Sequence, residues 1–564
     1  MSSGSPLASA IKEQPKLPLW LTHLWQRASE HKRLGLVLGA GVSFDAKVPL
    51  WGKLVSRLAE AAGISEQRLA QHQKERFPET FLAEILYRHH HAEYSKSSDN
   101  PSDRYHKYRV NSAWKQKIRE CLYLDVGTKT FEEIAKEHIY LKGLASLVCK
   151  SGFTVTLNFD DIVDQAVTAH VEEILTAAPE TAIANPEIIY YPKVETRKHA
   201  PVIYHINGSL PRDQPRRSSA NVVLTEDAFA DVMLSPNSHN AEYVINQFAV
   251  RTFVLLGLSL SDNSLKNILR SSAKRNPANH HFIILHELDD NPRSPEIRSD
   301  IFDVNLHVYN LITIFLTTAQ HKEFIDVLNS SSAAQFDEVL LALGAQSTIH
   351  RKYYIVGSVA SGKSSTVDAL RCFTTFEEFS GRVPKEMYQD DTSLTPAEQK
   401  IVDDYLFPRL IEKNRNMMRP NSGVRIMDRA FLDLFAFSKN GDKVEIKRKA
   451  LELRNRIEQY TKPFEDGHLF FLGASPDALE ERLLQRSSTK EANGKFGFEL
   501  ETLKKQDKSL KQIYRVQDDQ VLDTSHLTTG EVAKAIARKI LLDDYQEFPF
   551  AKRLGEIIDG DGVL

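Results

Sequence analysis

The chain has 564 residues, 41% hydrophobic and 26% charged, a globular composition too long for one core that excludes wholesale disorder and fibrous repeats. Lys+Arg total 72 against Asp+Glu 75, a formal net charge of -3, so the basic excess of a dedicated nucleic-acid binder is missing and nucleic acid is not an expected partner. Three scattered cysteines, Cys121, Cys149 and Cys372, can build neither a four-cysteine zinc site nor a disulfide framework.

The opening MSSGSPLASAIKEQPK lacks a charged segment followed by an apolar one, and no apolar run nears the roughly 18 residues that span a bilayer. A soluble, cytoplasmic protein with no membrane partner is therefore expected. Residues 1–30 read as an N-terminal extension. Short β-rich runs then recur: LGLVLGAG (34–41), FTVTLNFD (153–160), PVIYHING (201–208), TFVLLGLS (252–259) and HFIILHE (281–287). Having almost no alternation, they read as strands buried on both faces of a parallel sheet, which makes the fold class α/β. Between the first two runs, about 52–150, the composition predicts a helical insertion. Its His89, His90 and His91 are consecutive, so they point around a helix rather than toward one ion. The basic-aromatic stretch 104–123 reads as an amphipathic helix, with a nucleic-acid or partner face as the sharper alternative. PRDQPRRSS (211–219) is either a surface loop or a gate beside the preceding strand end.

Around 329–350 the chain turns small and polar, with a short apolar helix at 336–343, and this stretch reads as a linker. The boundaries expected are a first domain over 31–328 and a second over 351–564. In the second, GSVASGKSS places Gly357, Gly362, Lys363 and Ser364, followed by Ser365, in the pattern G-x-x-x-x-G-K-[ST]. A β-rich run leads in and an apolar-periodic helix follows. Glycines let backbone amides curl around phosphate oxygens, Lys363 would neutralise charge, and the Ser364 hydroxyl would sit on Mg²⁺. GVRIMDRAF ends another strand at Asp428-Arg429, where an acid can hold the metal's water shell or act as a base. Arg482 and Arg486 lie four apart on a helix, suited to phosphoryl oxygens or to a solvated face paired with Glu480 or Glu481. Residues 350–545 resemble the P-loop nucleoside and nucleoside-monophosphate kinases, of the thymidylate or deoxynucleoside kinase kind. That resemblance implies ATP or another nucleoside triphosphate with Mg²⁺ held by Ser364 and Asp428, and leaves the acceptor unassigned, with Glu377 and Arg382 as neighbours.

In the first domain, Gly39-Ala40-Gly41-Val42-Ser43 ends a buried strand ahead of Pro49-Leu50-Trp51. Thr156-Leu157-Asn158-Phe159-Asp160-Asp161 sets an amide and a carboxylate at a second strand end, where Asp160 alone would read as a helix cap. Tyr204-His205-Ile206-Asn207-Gly208-Ser209 ends a third, and Gly257-Leu258-Ser259 with Asp262 a fourth. Glycine-bearing polar strand ends on one edge of a parallel sheet are where such folds bind ligands.

In this order the four motifs resemble the sirtuin-like NAD-binding family over about 34–320, giving a Rossmann-like sheet with a helical insertion. The resemblance implies that Gly39, Ala40, Gly41, Ser43 and Trp51 line the NAD pyrophosphate and ribose. Asn158 and Asp160 would lie near the nicotinamide ribose, and Gly257, Ser259 and Asp262 near the adenosine end. The family's catalytic histidine stands directly before the glycine, where this chain has Asn207. Either His205 substitutes for it, or Asn207 orients a water, or hydrolysis is impaired; Asn158 with His205 is the favoured pair. Too few cysteines for zinc point to the zinc-less branch, similar to bacterial antiphage effectors that hydrolyse NAD⁺ to ADP-ribose and nicotinamide. The expectation is an NADase and antiphage effector controlled by nucleotide binding or phosphorylation in the P-loop domain. The resemblance further implies a homo-oligomer, a tetramer being favoured, and a phage-derived trigger or partner. Two rivals remain: a nucleotide kinase whose first half senses NAD or ADP-ribose, and a non-catalytic assembly protein.

Overall fold

The computed structural model describes residues 5–97, 104–191, 196–220, 222–234, 239–377, 384–388, 395–419, 422–437, 443–460, 464–487 and 500–560. The chain divides into two compact units: Met1–Leu17, Leu24–Arg275 and His280–Ala345 form one, and Pro18–His23, Asn276–Asn279 and Gln346–Leu564 the other. Among the described residues no helix is long and apolar enough to cross a membrane.

The first unit is built on seven strands: β1 (Leu34–Leu38), β2 (Phe153–Thr156), β3 (Glu187–Ile189), β4 (Val202–His205), β5 (Thr252–Leu256), β6 (His281–His286) and β7 (Leu311–Leu316). They are all parallel, in the order β3-β4-β2-β1-β5-β6-β7. Val37, Val155, Tyr204, Phe253 and Leu255 fill one core, and the uninterrupted burial of β1, β2, β4 and β5 explains why their sequences do not alternate. Leu38 pairs with both Thr156 and Leu256, and Thr156 with His205, so β1, β2, β4 and β5 end at one level. The strand order reverses at β1, where an open parallel sheet leaves a crevice at its carboxyl edge.

Among the described residues six helices, from Trp51–Ala61 to Leu141–Ser151, lie between β1 and β2. Strands β3 and β7 were not among the apolar runs singled out above; β3 has only three residues, whereas β7 (LITIFL) is fully buried. β7 is an edge strand, and Gln14 covers it like a further strand residue: its Nε2 donates to Phe315 O at 2.8 Å and its Oε1 accepts the Phe315 N–H at 3.2 Å. Within 329–350, the helix Ala333–Ala342 buries Phe336, which stacks on Trp25 at 4.9 Å, so the packed body of the first unit runs on through Ala345.

The second unit carries β8 (His350–Val356), β9 (Thr374–Phe376), β10 (Gly423–Asp428), β11 (His468–Gly473) and β12 (Val521–Asp523). They are parallel in the order β12-β11-β8-β10-β9, over a core that includes Tyr354, Phe431, Phe464 and Phe550. Asp428 is in register with Ile355, which sets the acid at the end of β10 beside the loop after β8.

Candidate functional site

The glycine loop after β1 is locked to the one after β5. Gly39 N–H donates to Leu256 O at 2.9 Å and Gly41 N–H to Gly257 O at 3.0 Å. A Cβ on Gly39 would stand 2.5 Å from Gly257 O, and one on Gly257, whose φ is +67°, 2.5 Å from Val42 N. The glycines therefore allow two backbones to touch, and two amides of the first loop are already spent inside the chain. Ala40 and Gly41 still reach the surface. His138, buried between two helices of the insertion, shares a hydrogen bond with Val42 O through Nε2 at 2.7 Å and so holds the same loop.

A side-chain relay runs from the first strand end to the second. Asn158 Nδ2 donates to Gly39 O at 3.1 Å and to Ser43 Oγ at 3.2 Å; Ser43 Oγ donates to Asp160 Oδ1 at 2.9 Å. The Gly39 carbonyl decides which end of the amide is nitrogen, because an oxygen there would face an oxygen. Both hydrogens of Nδ2 are thereby used, and Oδ1 of Asn158 carries no hydrogen bond among the described residues. Ser43, expected to line the nucleotide, is fully buried and braces Asn158 instead. Asp160 also accepts from Ile162 N–H at 3.1 Å, fixing the first turn of the helix Ile162–Ala177. Burial pushes its carboxyl up to about 6, against hydrogen bonds from Ser43 and Ile162 that favour the charged form.

His205 is spent inside the fold. Its Nδ1 lies 3.1 Å from Asn158 O and its Nε2 3.0 Å from Asp164 Oδ2, two acceptors that together call for a ring protonated on both nitrogens. Burial disfavours that charge, but the Asp164 carboxylate and both hydrogen bonds outweigh it and raise the imidazole above its ordinary value. His205 thus fixes the Asn158 backbone rather than waiting as a free base. Asp164, the residue that makes this so, lies four positions past Asp160 in the helix Ile162–Ala177 and was not among the residues singled out from the sequence. Asn207 is buried; its Nδ2 donates weakly to Leu157 O at 3.4 Å. Trp51 packs on Phe159 at 5.9 Å and Phe229 at 6.4 Å. Ser259 is exposed beside Ser261, and Asp262 Oδ1 accepts Leu265 N–H at 2.9 Å as a helix cap.

In the second unit the loop after β8 curls through positive φ at Gly357 (148°), Ala360 (65°) and Gly362 (95°) into the first turn of the helix Lys363–Ala369. A Cβ on Gly357 would lie 2.2 Å from Leu472 O. Lys363 is buried with Nζ 2.7 Å from Ser358 O, inside the curl, while Ser364 and Ser365 are exposed on the first turn. This is an anion nest by its geometry. Asp428 is buried at the neighbouring strand end, and Arg429 (φ 64°) reaches Asp433 at 3.5 Å. Ser364 and Asp428 thus stand at one sheet edge and fit a Mg²⁺ bound with a triphosphate; among the described residues no cluster of three His, Cys, Asp or Glu could hold a metal by itself. Arg482 is not aimed at open space: it donates to Thr524 O at 2.5 Å and to Ala360 O at 3.4 Å, which ties it to the loop. Arg486 lies on the same helix with its side chain outside the described residues; Arg382 falls outside them altogether. Glu377 is exposed and pairs with Arg371. In the insertion, His90 is buried against Trp114 and His91 faces solvent.

Residues 153–308 match a family model described as a SIR2-like domain, which supports an NAD-related activity. That span holds β2 to β6; the glycine loop after β1 lies outside it. No curated protein matches the chain. Among solved structures, a thymidylate kinase from Candida albicans aligns with 36% of this chain and 100% of its own length, at 14% identity and a TM-score of 0.26. The phosphate-cradle reading of the second unit rests on its own loop geometry.

Proposed function

We propose that the first unit hydrolyses NAD⁺ to ADP-ribose and nicotinamide, and that the P-loop of the second binds a nucleoside triphosphate with Mg²⁺ and controls that hydrolysis. The observation that carries the reading is the pinned amide of Asn158, whose Oδ1 is left to accept a hydrogen bond at the sheet's switch point. In the reaction the ribose C1′–N bond breaks, its electron pair leaves with nicotinamide, and positive charge spreads over C1′ and the ring oxygen. Water then adds its oxygen to C1′ and releases a proton. Asn158 Oδ1 is the group to orient that water or a ribose hydroxyl; Ser43, Asp160 and His205 hold Asn158 in place. Mg²⁺ at Ser364 and Asp428 would neutralise triphosphate charge. An NADase without control would exhaust its own cell, so a coupled nucleotide-sensing unit fits a cytoplasmic antiphage effector.

The test is nicotinamide release from NAD⁺ with and without a panel of ribo- and deoxynucleotides. Release that responds to a nucleotide, falls by at least ~100-fold in Asn158→Ala and loses its nucleotide response in Lys363→Ala supports the proposal. One observation favours a second reading. With His205 in a buried ion pair and Asn207 before the glycine, no free base is evident, which suits a nucleotide kinase whose first unit only senses NAD or ADP-ribose. No release under any condition, together with ATP turnover lost in Lys363→Ala, would establish that reading.

A further inference from the structure

Lys115, Arg119 and Tyr123 follow one another at four-residue spacing on the insertion helix His106–Tyr123, and so share a face. All three polar ends reach the chain after β4 or the turn after β2. Lys115 Nζ donates to Ser219 O at 3.1 Å and Ala220 O at 3.2 Å. Arg119 donates through Nε to Pro211 O at 3.0 Å and through Nη2 to Ser218 Oγ. The Tyr123 hydroxyl accepts Asp161 N–H at 3.1 Å and lies 2.8 Å from Asp161 Oδ1 and 3.1 Å from Leu210 O. Burial, then the Asp161 and Asp160 carboxylates, keep that phenol protonated.

What these groups hold is the polar frame around Asn158. The chain after β4 folds back on itself within 207–220: Ser219 N–H donates to Ser209 O at 2.9 Å, and Val223 N–H donates to Asn207 O at 2.8 Å. It meets the second strand end where Leu210 N–H donates to Phe159 O at 2.7 Å. Asp161 directly follows Asp160, whose carboxylate anchors Ser43 and, through it, Asn158. The basic stretch 104–123 is therefore not a free cationic surface at these positions, because its inward cations are consumed by backbone carbonyls.

We propose that Lys115, Arg119 and Tyr123 are positioning residues that clamp the 207–220 wall and the Asp160–Asp161 turn, making the helical insertion part of the NAD-cleaving site. This rests on the proposed hydrolysis. A loosened wall admits competing nucleophiles to C1′ and weakens the hold on the dinucleotide.

The clamp is tested in the full-length protein by KM for NAD⁺ and by the ratio of methyl-ADP-ribose to ADP-ribose formed in a fixed water–methanol mixture. That ratio is independent of how much protein is folded. Arg119→Ala and Lys115→Met should raise KM about 10-fold, the cost of reordering one or two interface groups, and raise the methanol product about 3-fold. Tyr123→Phe should raise the methanol product similarly, and Arg119→Lys should restore much of the wild-type ratio. Lys117→Met is the control: Lys117 also donates to a backbone carbonyl, Ala61 O at 3.0 Å, but within the insertion. Unchanged KM and ratio in Arg119→Ala and Lys115→Met, or equal changes in Lys117→Met, overturn the clamp. If the wild type releases no nicotinamide, the hydrolysis reading fails and the clamp is judged by the Kd for NAD⁺. A weakening of about 10-fold in Arg119→Ala but not in Lys117→Met supports it, while an equal Kd, or no NAD⁺ binding by the wild type, overturns it.

Discussion

Asp160 offers a test of the relay that does not depend on knowing the substrate. It is fully buried, and its carboxyl is raised from the ordinary 3.8 to about 6. An acid with a raised folded value keeps its proton longer in the native state, so stability is greatest below about pH 4 and falls as pH rises through 6. Taking 3.8 for the unfolded chain and 6 for the folded one, this group alone removes roughly 1.4 kcal/mol of stability between pH 5 and pH 7.5. Asp160→Asn keeps an oxygen to accept from Ser43 and Ile162 but cannot ionise. Groups far from the site titrate identically in both proteins, so the variant-minus-wild-type difference in unfolding free energy reads Asp160 together with the effect of its charge on its neighbours Asp161, Asp164 and His205. It should become more favourable to the variant by roughly 1.4 kcal/mol over that range. Urea unfolding followed by tryptophan fluorescence suits the measurement, since Trp51 packs directly on Phe159. A difference that is the same at both pH values would falsify the buried-carboxylate account. If the variant is more stable at pH 7.5 yet releases no nicotinamide, the carboxylate is costly to the fold and needed by the site.

Two further outcomes separate packing from chemistry. Gly257→Ala, with φ +67° and a Cβ 2.5 Å from Val42 N, should destabilise by about 2–4 kcal/mol, while Gly52→Ala, on a helix with nothing within 4 Å, should stabilise by about 0.5–1 kcal/mol; thermal midpoints moving in opposite directions check both. Asp164→Ala strands the His205 ring between one carbonyl and a void, and should cost about 3–5 kcal/mol at pH 6. Because His205 is raised, the pair's stabilisation is complete below its unfolded value of 6.5 and fades as pH climbs through the folded value. The penalty of Asp164→Ala should therefore shrink in alkaline buffer; a penalty that grows there would mean the ring is neutral in the native protein.

The strand ends were legible because strands buried on both faces leave near-continuous apolar runs, which give way to polar and glycine residues such as Gly39, Asn158, Asn207 and Gly257. What those polar residues bond to was not, because the partners lie far along the chain: Ser43 meets Asp160 across 117 positions, and His205 meets Asp164 across 41. Local pattern also does not show what these residues touch inside the chain. The Gly39–Gly41 pair reads as a phosphate loop, yet Gly39 and Gly41 seat against Gly257; Arg482 reads as a phosphate-facing arginine, yet it closes on Thr524 and Ala360 carbonyls. A short edge strand such as β3 carries too few residues for any period to show.

These double uses determine which substitutions are informative about function. Replacing Gly39, Gly41 or Gly257 would abolish activity whether or not a dinucleotide lies against them, since the two loops could no longer approach each other. Replacing Ser43, Asp160 or His205 unpins Asn158 and also leaves buried polar groups without partners, so lost activity and lost folding arrive together. Asn158 is different. Its two amide hydrogens tie it to Gly39 and Ser43, and its oxygen carries no hydrogen bond among the described residues. Asn158→Asp presents an oxygen to Gly39 O and should disturb the fold, whereas Asn158→Ala removes the whole amide, its two donated hydrogen bonds included, and leaves Ser43 bonded to Asp160. A folded Asn158→Ala protein without nicotinamide release therefore assigns the loss to the Asn158 amide, whose oxygen carries no hydrogen bond among the described residues.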